Sequence, residues 1–358
     1  MNKKLRKLLF ITAFPPNFKS GGQKFSLNLL RDLSKTFLVD LIYFEYKNHS
    51  IESNLPVNLV KSFKVNNLNC FSKITAHPIF TRRFNKSILR YLADVSSRYD
   101  ILFFDYSQVS LYSMFINHPY KVIRSHDVLF QMFSRKNKIF KYWIKCTEGR
   151  IFQSAQKVFV LSKKDADLIE NIYNLKVYFS HECLQEFHFF EFSRQTKIFL
   201  FFGLWSRKEN LDGLLWFVKE VLPLINRSLD IKFMVIGGGL PERIKKKYLE
   251  PNNIDCLGFV DRPLDIIYTS CAVIAPLFTG AGVKVKVIDA FTTGTPVIGT
   301  DITFEGLPFS ERLVYHAEKP LEYAGIIHNF PVLTHLEKQK NADVFRQLYN
   351  INHLSDQL

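Results

Sequence analysis

Short apolar runs alternate with amphipathic stretches along almost the whole chain, the pattern left in sequence by a parallel sheet whose strands are joined by crossover helices. Strands are predicted over residues 8–12, 39–44, 101–104, 122–124 and 158–161, with helices between them. Phe25, Leu29, Leu30 and Leu33 recur at helical spacing after Gly21-Gly22, and Ser162 with Asp165 has the form of a capping box opening a helix to residue 172. Periodicity fades over 177–196, and the run 198–202 restarts the alternation. Further strands are expected over 232–236, 272–276 and 296–299, and helices near 210–222 and 283–293. Pro320 suits a first helical turn, and a polar helix over 334–349 follows. The expectation is an α/β chain of two domains, 1–190 and 191–332, with a C-terminal helical segment 333–358.

The bulk numbers fit two ordinary cores: 358 residues, 47% hydrophobic, are more than one core usually fills. The five cysteines are odd in number and in no CxxC spacing, which argues against a disulfide framework or a zinc site and for a reducing compartment. The start resembles a secretion signal, but Pro15 and Pro16 cut its apolar run short and no small-residue cleavage site follows, so a buried strand is expected instead. No apolar run approaches the ~18 residues of a membrane span. Residues 1–190 hold 29 Lys+Arg against 14 Asp+Glu, 29 − 14 = +15, whereas the remaining residues hold 19 of each. A basic first half implies an anionic partner, a membrane surface or a nucleic acid, unless its lysines are merely solvated. Arg82, Arg83, Lys86 and Arg90, interleaved with Phe80, Phe84 and Tyr91, are the candidate surface for anionic lipid.

The most informative stretch follows the run 272–277. Thr279-Gly280-Ala281-Gly282-Val283-Lys284-Val285-Lys286 leads from a strand through two glycines into a helix, where free backbone N–H groups and the positive helix end suit a diphosphate. Lys284 and Lys286 add charge, and Asp289 suits the hydroxyls of a ribose. Standing alone, such a loop is equally well a tight turn whose glycines serve packing.

Four segments in order, FFGLWSRKENLDGLLWF, KFMVIGGG, LGFVDRPLDIIYTSCAVIAPL and GAGVKVKVIDAFTTGTPVIGTDITFEGL, resemble the donor domain of glycosyltransferase family 4, among the glycosyl transferases group 1. The resemblance spans roughly residues 199–307. It implies a GT-B fold, two Rossmann-like domains facing a central cleft, and transfer from a nucleotide-sugar donor. Asp289 matches the second acid of the family's Glu-x7-Glu motif, and Ala281 occupies the place of the first. Leu204 and Glu209 stand where the family has Arg and Lys, leaving Arg207 and Lys208 as substitutes. The resemblance also implies donor-side roles for Gly21, Gly22, Gly237, Gly238, Gly280, Gly282 and Val283, and it places His126 and Asp127 beside the reacting sugar. His126 lies just past a strand's carboxyl end, where open parallel sheets put their ligands.

Other motifs carry less. Asp165-Ala166-Asp167 spells a metal-binding DxD, but in the first turn of a helix acids favour the dipole. Gly237-Gly238-Gly239 lacks the pattern of a nicotinamide site. No nucleic-acid-binding motif accompanies the 35 phenylalanines. The sequence reading is a metal-independent transferase, retaining by resemblance, that needs no cofactor and no nucleic acid. Its acceptor is a glycan or a polyprenyl-diphosphate-linked glycan of bacterial surface polysaccharide synthesis, at the cytoplasmic face of a membrane. A sugar-nucleotide epimerase on the same scaffold and a non-catalytic nucleic-acid-binding protein are the alternatives.

Overall fold

The computed structural model describes residues 5–46, 49–65, 77–136, 141–181, 184–192, 196–226, 228–280, 282–308, 310–349 and 354–358. The chain divides into two compact units, one of Met1–Cys183 with Ala281–Val283 and Ile351–Leu358, the other of Leu184–Gly280 with Lys284–Asn350. The helix His335–Tyr349 thus belongs to the second unit, while Leu354 is buried in a core of the first.

In the first unit, β1 (Lys7–Thr12), β2 (Leu38–Phe44), β3 (Val60–Phe63), β4 (Ile101–Asp105), β5 (Lys121–Ser125), β6 (Lys157–Val160) and β7 (Tyr178–Phe179) form one sheet in the order β3-β2-β1-β4-β5-β6-β7. Every pairing is parallel. Such strands are covered on both faces, so they read as unbroken apolar runs. In β1 successive side chains point to opposite faces: Leu8 and Phe10 enter one core with Val39 and Phe103, Leu9 and Ile11 the other with Phe44 and Phe104. Register pairs Phe10 with Phe103, and their rings stack with centroids 5.1 Å apart.

The second unit repeats the plan. Its strands β8 (Lys197–Phe202), β9 (Ile231–Ile236), β10 (Asp255–Gly258), β11 (Ala272–Ala275), β12 (Val297–Gly299) and β13 (Val314–His316) lie in the order β10-β9-β8-β11-β12-β13, all parallel. Each sheet therefore runs outward in both directions from one central pair, β1/β4 in the first and β8/β11 in the second. The crevice at the carboxyl ends of that pair is where a doubly wound sheet binds its ligand.

The capping reading of Ser162 holds: its Oγ accepts from Asp165 N–H at 3.1 Å and donates to Asp165 Oδ2 at 2.8 Å, and Asp167 pairs with Lys163 one turn away. Pro320 opens the helix Pro320–His328 as expected. Arg83 and Phe80 correct the expected lipid surface. Arg83 is 8% exposed, donates from Nε to Ala13 O at 2.9 Å and lies over the Phe14 ring, while Phe80 is fully buried. Arg82, Lys86 and Arg90 are exposed. Among the described residues no helix is long and apolar enough to cross a membrane.

Candidate functional site

At the central pair of the first sheet, β4 ends in Asp105, a carboxylate with no solvent exposure. Its Oδ2 accepts from Thr12 Oγ1 at the end of β1 (3.1 Å) and from Ser26 Oγ on the helix Gly21–Leu33 (2.5 Å). Its Oδ1 accepts from Arg124 Nε at 2.7 Å, and His126 Nε2 lies 2.8 Å from the same oxygen. Arg124 and His126 hold the Asp105 carboxyl well below the usual carboxylate range, against the opposing effect of burial. An ionised carboxylate only accepts, so Nε2 of His126 carries the proton and Nδ1 is left as the acceptor nitrogen. Burial, more than the Arg124 charge, lowers the His126 pKa, which favours this neutral form.

Tyr106, the residue after Asp105, stacks on the His126 ring with centroids 3.7 Å apart and planes 8° from parallel. Its backbone sits at φ 81° and ψ 140°, a conformation that costs a non-glycine residue roughly 1–3 kcal/mol and is found mostly at functional sites. The Tyr106 hydroxyl also lies against Gly22, where a Cβ would stand 2.4 Å from that oxygen. At the start of the same helix Ser20 makes no side-chain cap, its hydroxyl donating instead to Gln23 Oε1. Asp127 is half-buried between β5 and the helix Leu129–Lys136, and its carbonyl accepts from Ser125 Oγ at 2.8 Å.

In the second unit the ends of β8 and β9 meet through glycine. Gly237, at φ 113°, lies so close to Gly203 O that a Cβ would stand 1.9 Å from it, whereas Gly238 faces open space. Lys286 comes to the same place: its Nζ donates to Asn210 Oδ1 at 2.6 Å, and Asn210 Nδ2 donates to Leu204 O at 2.9 Å. Burial, reinforced by the charges of Arg207 and Lys284, lowers the Lys286 ammonium to about 7 against the pull of Glu209. Lys284 precedes the helix Val285–Thr292 with its Nζ 3.9 Å from Glu305 Oε2, and Asp289, on that helix, is 6% exposed. Gly280 at φ 128° and, in the short segment that belongs to the first unit, Gly282 at φ 71° occupy backbone conformations that favour glycine. Val283, in that same segment, is half-buried. Ala281 lies outside the described residues.

Arg207 and Lys208, the substitutes named from sequence, point outward: Arg207 is 3.8 Å from Glu209, and Lys208, 84% exposed, pairs with Asp212. The cation nearest Gly203 is instead Lys286, whose Nζ would stand 3.5 Å from a Cβ placed there. Sequence reasoning missed Asp105, Tyr106 and Asn210. A lone carboxylate closing the apolar run Ile-Leu-Phe-Phe was the legible signal for the first. Among the described residues, Asp301, His316 and Glu318 are the three side chains grouped closely enough to hold a metal ion. All three are exposed, and His316 Nε2 already lies 2.9 Å from Asp301 Oδ1.

Residues 196–326 match the family model for Glycosyl transferases group 1. A protein of Klebsiella pneumoniae described as "Uncharacterized 44.6 kDa protein in cps region" is 30% identical over 207 residues, 52% of this chain and 53% of that protein. The aligned region thus spans about half the length of this curated relative. Among solved structures, sucrose-phosphate synthase of Thermosynechococcus elongatus superposes with a TM-score of 0.73 at 13% identity, covering 98% of this chain and 97% of that one. HepE of Anabaena, solved with UDP-glucose, gives 0.67 at 12% identity over 96% and 95%. The chain therefore has the GT-B glycosyltransferase fold, and its residues 196–326 match the glycosyl transferases group 1.

Proposed function

We propose that this protein is a glycosyltransferase that moves a sugar from a nucleotide-sugar to a glycan or polyprenyl-diphosphate-linked acceptor in surface polysaccharide synthesis. The observation that carries the reading is the placement of Lys286 beside Gly203, at the carboxyl end of the central pair of the sheet, within the segment that matches the group 1 family. A UDP-glucose complex of HepE and a relative from a cps region support the donor class and the setting.

In this reading the second unit holds the donor. The start of the helix Val285–Thr292 and the backbone of Gly280 face the diphosphate, Lys284 and Lys286 meet the charge that develops as it leaves, and Asp289 takes the ribose hydroxyls. With this much positive charge supplied by the chain, the leaving group departs without a metal, and transfer retains the anomeric configuration. No cofactor takes part. His126 and Asp127, in the first unit, are the catalytic residues of this reading, with Nδ1 of His126 the accepting nitrogen while Asp105 holds Nε2–H. The same unit attaches reversibly to anionic lipid at the cytoplasmic face through Arg82, Lys86 and Arg90. Phe115, 55% exposed, packs against Phe84 close by.

A thermal-shift panel of UDP-, GDP- and CMP-sugars tests the donor, since a ligand bound only by the folded state raises the melting temperature. Release of nucleoside diphosphate that depends on a lipid-linked acceptor supports transfer. Conversion of the donor to an isomer without acceptor would identify an epimerase, and no response to any nucleotide-sugar would overturn the reading.

A further inference from the structure

Glu148, on the helix Lys141–Gln153, is fully buried and takes no part in the chemistry above. Its Oε1 accepts from Leu129 N–H at 2.8 Å, and its Oε2 from Phe130 N–H at 3.2 Å and from the Tyr173 hydroxyl at 2.7 Å. Leu129 and Phe130 open the helix Leu129–Lys136, where N–H groups lack partners within the helix and negative charge is favoured. A Ser, Thr, Asp or Asn just before the helix ordinarily serves them. Here that residue is Val128, fully buried in the core, so the service falls to a carboxylate from another helix.

The stretch so tied is short. β5 ends at Ser125, and His126, Asp127 and Val128 complete the connection to the helix. Its near end is held by Ser125 Oγ, which donates to Asp127 O and lies 2.7 Å from Ser107 Oγ. Its far end is held by Glu148.

We propose that Glu148 is a positioning residue, whose carboxylate fixes the turn carrying His126 and Asp127 by holding the N–H groups of Leu129 and Phe130. The consequence for turnover rests on the glycosyl-transfer reading; the positioning itself does not. Burial pushes the Glu148 carboxyl up to about 7 and the Asp127 charge acts in the same direction, while Tyr173 and the two amides favour the ionised form. Protonation would turn one carboxylate acceptor into a donor facing an N–H or O–H, so the turn is sensitive to the state of Glu148.

The test is Glu148→Gln in the full chain. An amide keeps the volume but presents N–H where the carboxylate accepted from one of its three donors. Amide exchange at Leu129 and Phe130 should accelerate by about tenfold or more and the imidazole nitrogen resonances of His126 should shift, both read without any substrate. With an active wild type, kcat should fall by about tenfold or more while donor Kd stays within twofold. Unchanged exchange and unchanged His126 resonances would overturn the proposal, as would unchanged kcat in an active wild type. Altered exchange and resonances in a protein whose wild type transfers no sugar would sustain the positioning and sink the transferase reading. Should Glu148→Gln fail to fold, Tyr173→Phe carries the test. Loss of that hydroxyl raises the Glu148 pKa, so the pH at which the His126 resonances respond to Glu148 should move upward, and no movement would overturn the proposal.

Discussion

The Asp105 carboxylate holds the His126 imidazole at 2.8 Å, Oδ1 to Nε2, and so decides which ring nitrogen carries the proton. The same oxygen takes the Arg124 Nε at 2.7 Å, so one buried acid neutralises a buried guanidinium and orients the histidine.

Removing that acid strands the guanidinium. Asp105→Ala should cost about 3–5 kcal/mol of stability, the usual price of an uncompensated buried charge. The Asp105 pKa is depressed in the folded state, so its contribution is present above the unfolded value of ~3.9 and is lost as pH falls toward the folded one. Urea titrations between pH 5 and 2 should show wild type losing stability faster than the variant; parallel curves would refute the assignment.

His126→Ala should lower turnover by about a hundredfold while donor affinity changes less than threefold, as expected of a group that acts mainly on the transition state. Steady-state kinetics beside direct binding separates the two. Equal losses in both would return His126 to a packing role under Tyr106.

Lys286 gives a pH signature. With its pKa lowered to about 7, Lys286 takes up a proton more readily when an anion approaches, and the ammonium is the form that meets a diphosphate. Affinity for a nucleoside diphosphate should therefore fall above pH 7, by at most about tenfold per pH unit, with proton uptake on binding. Calorimetry in buffers of different ionisation enthalpy measures that uptake, and Lys286→Met should abolish it. Asp289→Asn should weaken donor binding by about 1.5–3 kcal/mol in the same calorimetric titration, through loss of a charged acceptor.

Gly237 and Gly238 should part company. Gly237→Ala drives a Cβ into Gly203 O from a positive φ, a strain of roughly 1–3 kcal/mol, whereas Gly238→Ala meets open space. Thermal melts of the two variants check this. Equal stability would refute the close approach of Gly237 to Gly203 O.

Binding to vesicles rich in anionic lipid should weaken about a hundredfold when Arg82, Lys86 and Arg90 are together changed to Gln, at ~1 kcal/mol each. Co-sedimentation of the full chain at low and high salt measures it. Arg83→Gln should instead lower the melting temperature, because its guanidinium serves Ala13 O and the Phe14 ring.

The central strands and the glycine-rich turns were legible in the sequence because a parallel strand buried on both faces must be apolar at every position, as Leu8–Ile11 and Phe199–Phe201 are. β3 and β10, at the sheet edges, alternate exposed with half-buried residues and leave no such run, and β7 is two residues long. Four positions show what only the tertiary structure decided. Asp105 gathers Thr12 and Ser26 from 93 and 79 residues away, a convergence set by the parallel order of β1, β4 and β5 and invisible to local spacing. Arg83 reads as a surface cation until Ala13 and Phe14 fold over it. Lys208 follows Gly203, the residue just past β8, closely in sequence, yet its helix turns it to Asp212 and solvent, while Lys286, far along the chain, is brought to Asn210 because β11 lies beside β8. Periodicity records which face of an element is covered; which side chains converge at the carboxyl ends of two neighbouring strands depends on the order of the strands in the sheet, and that order is fixed only when the cores pack.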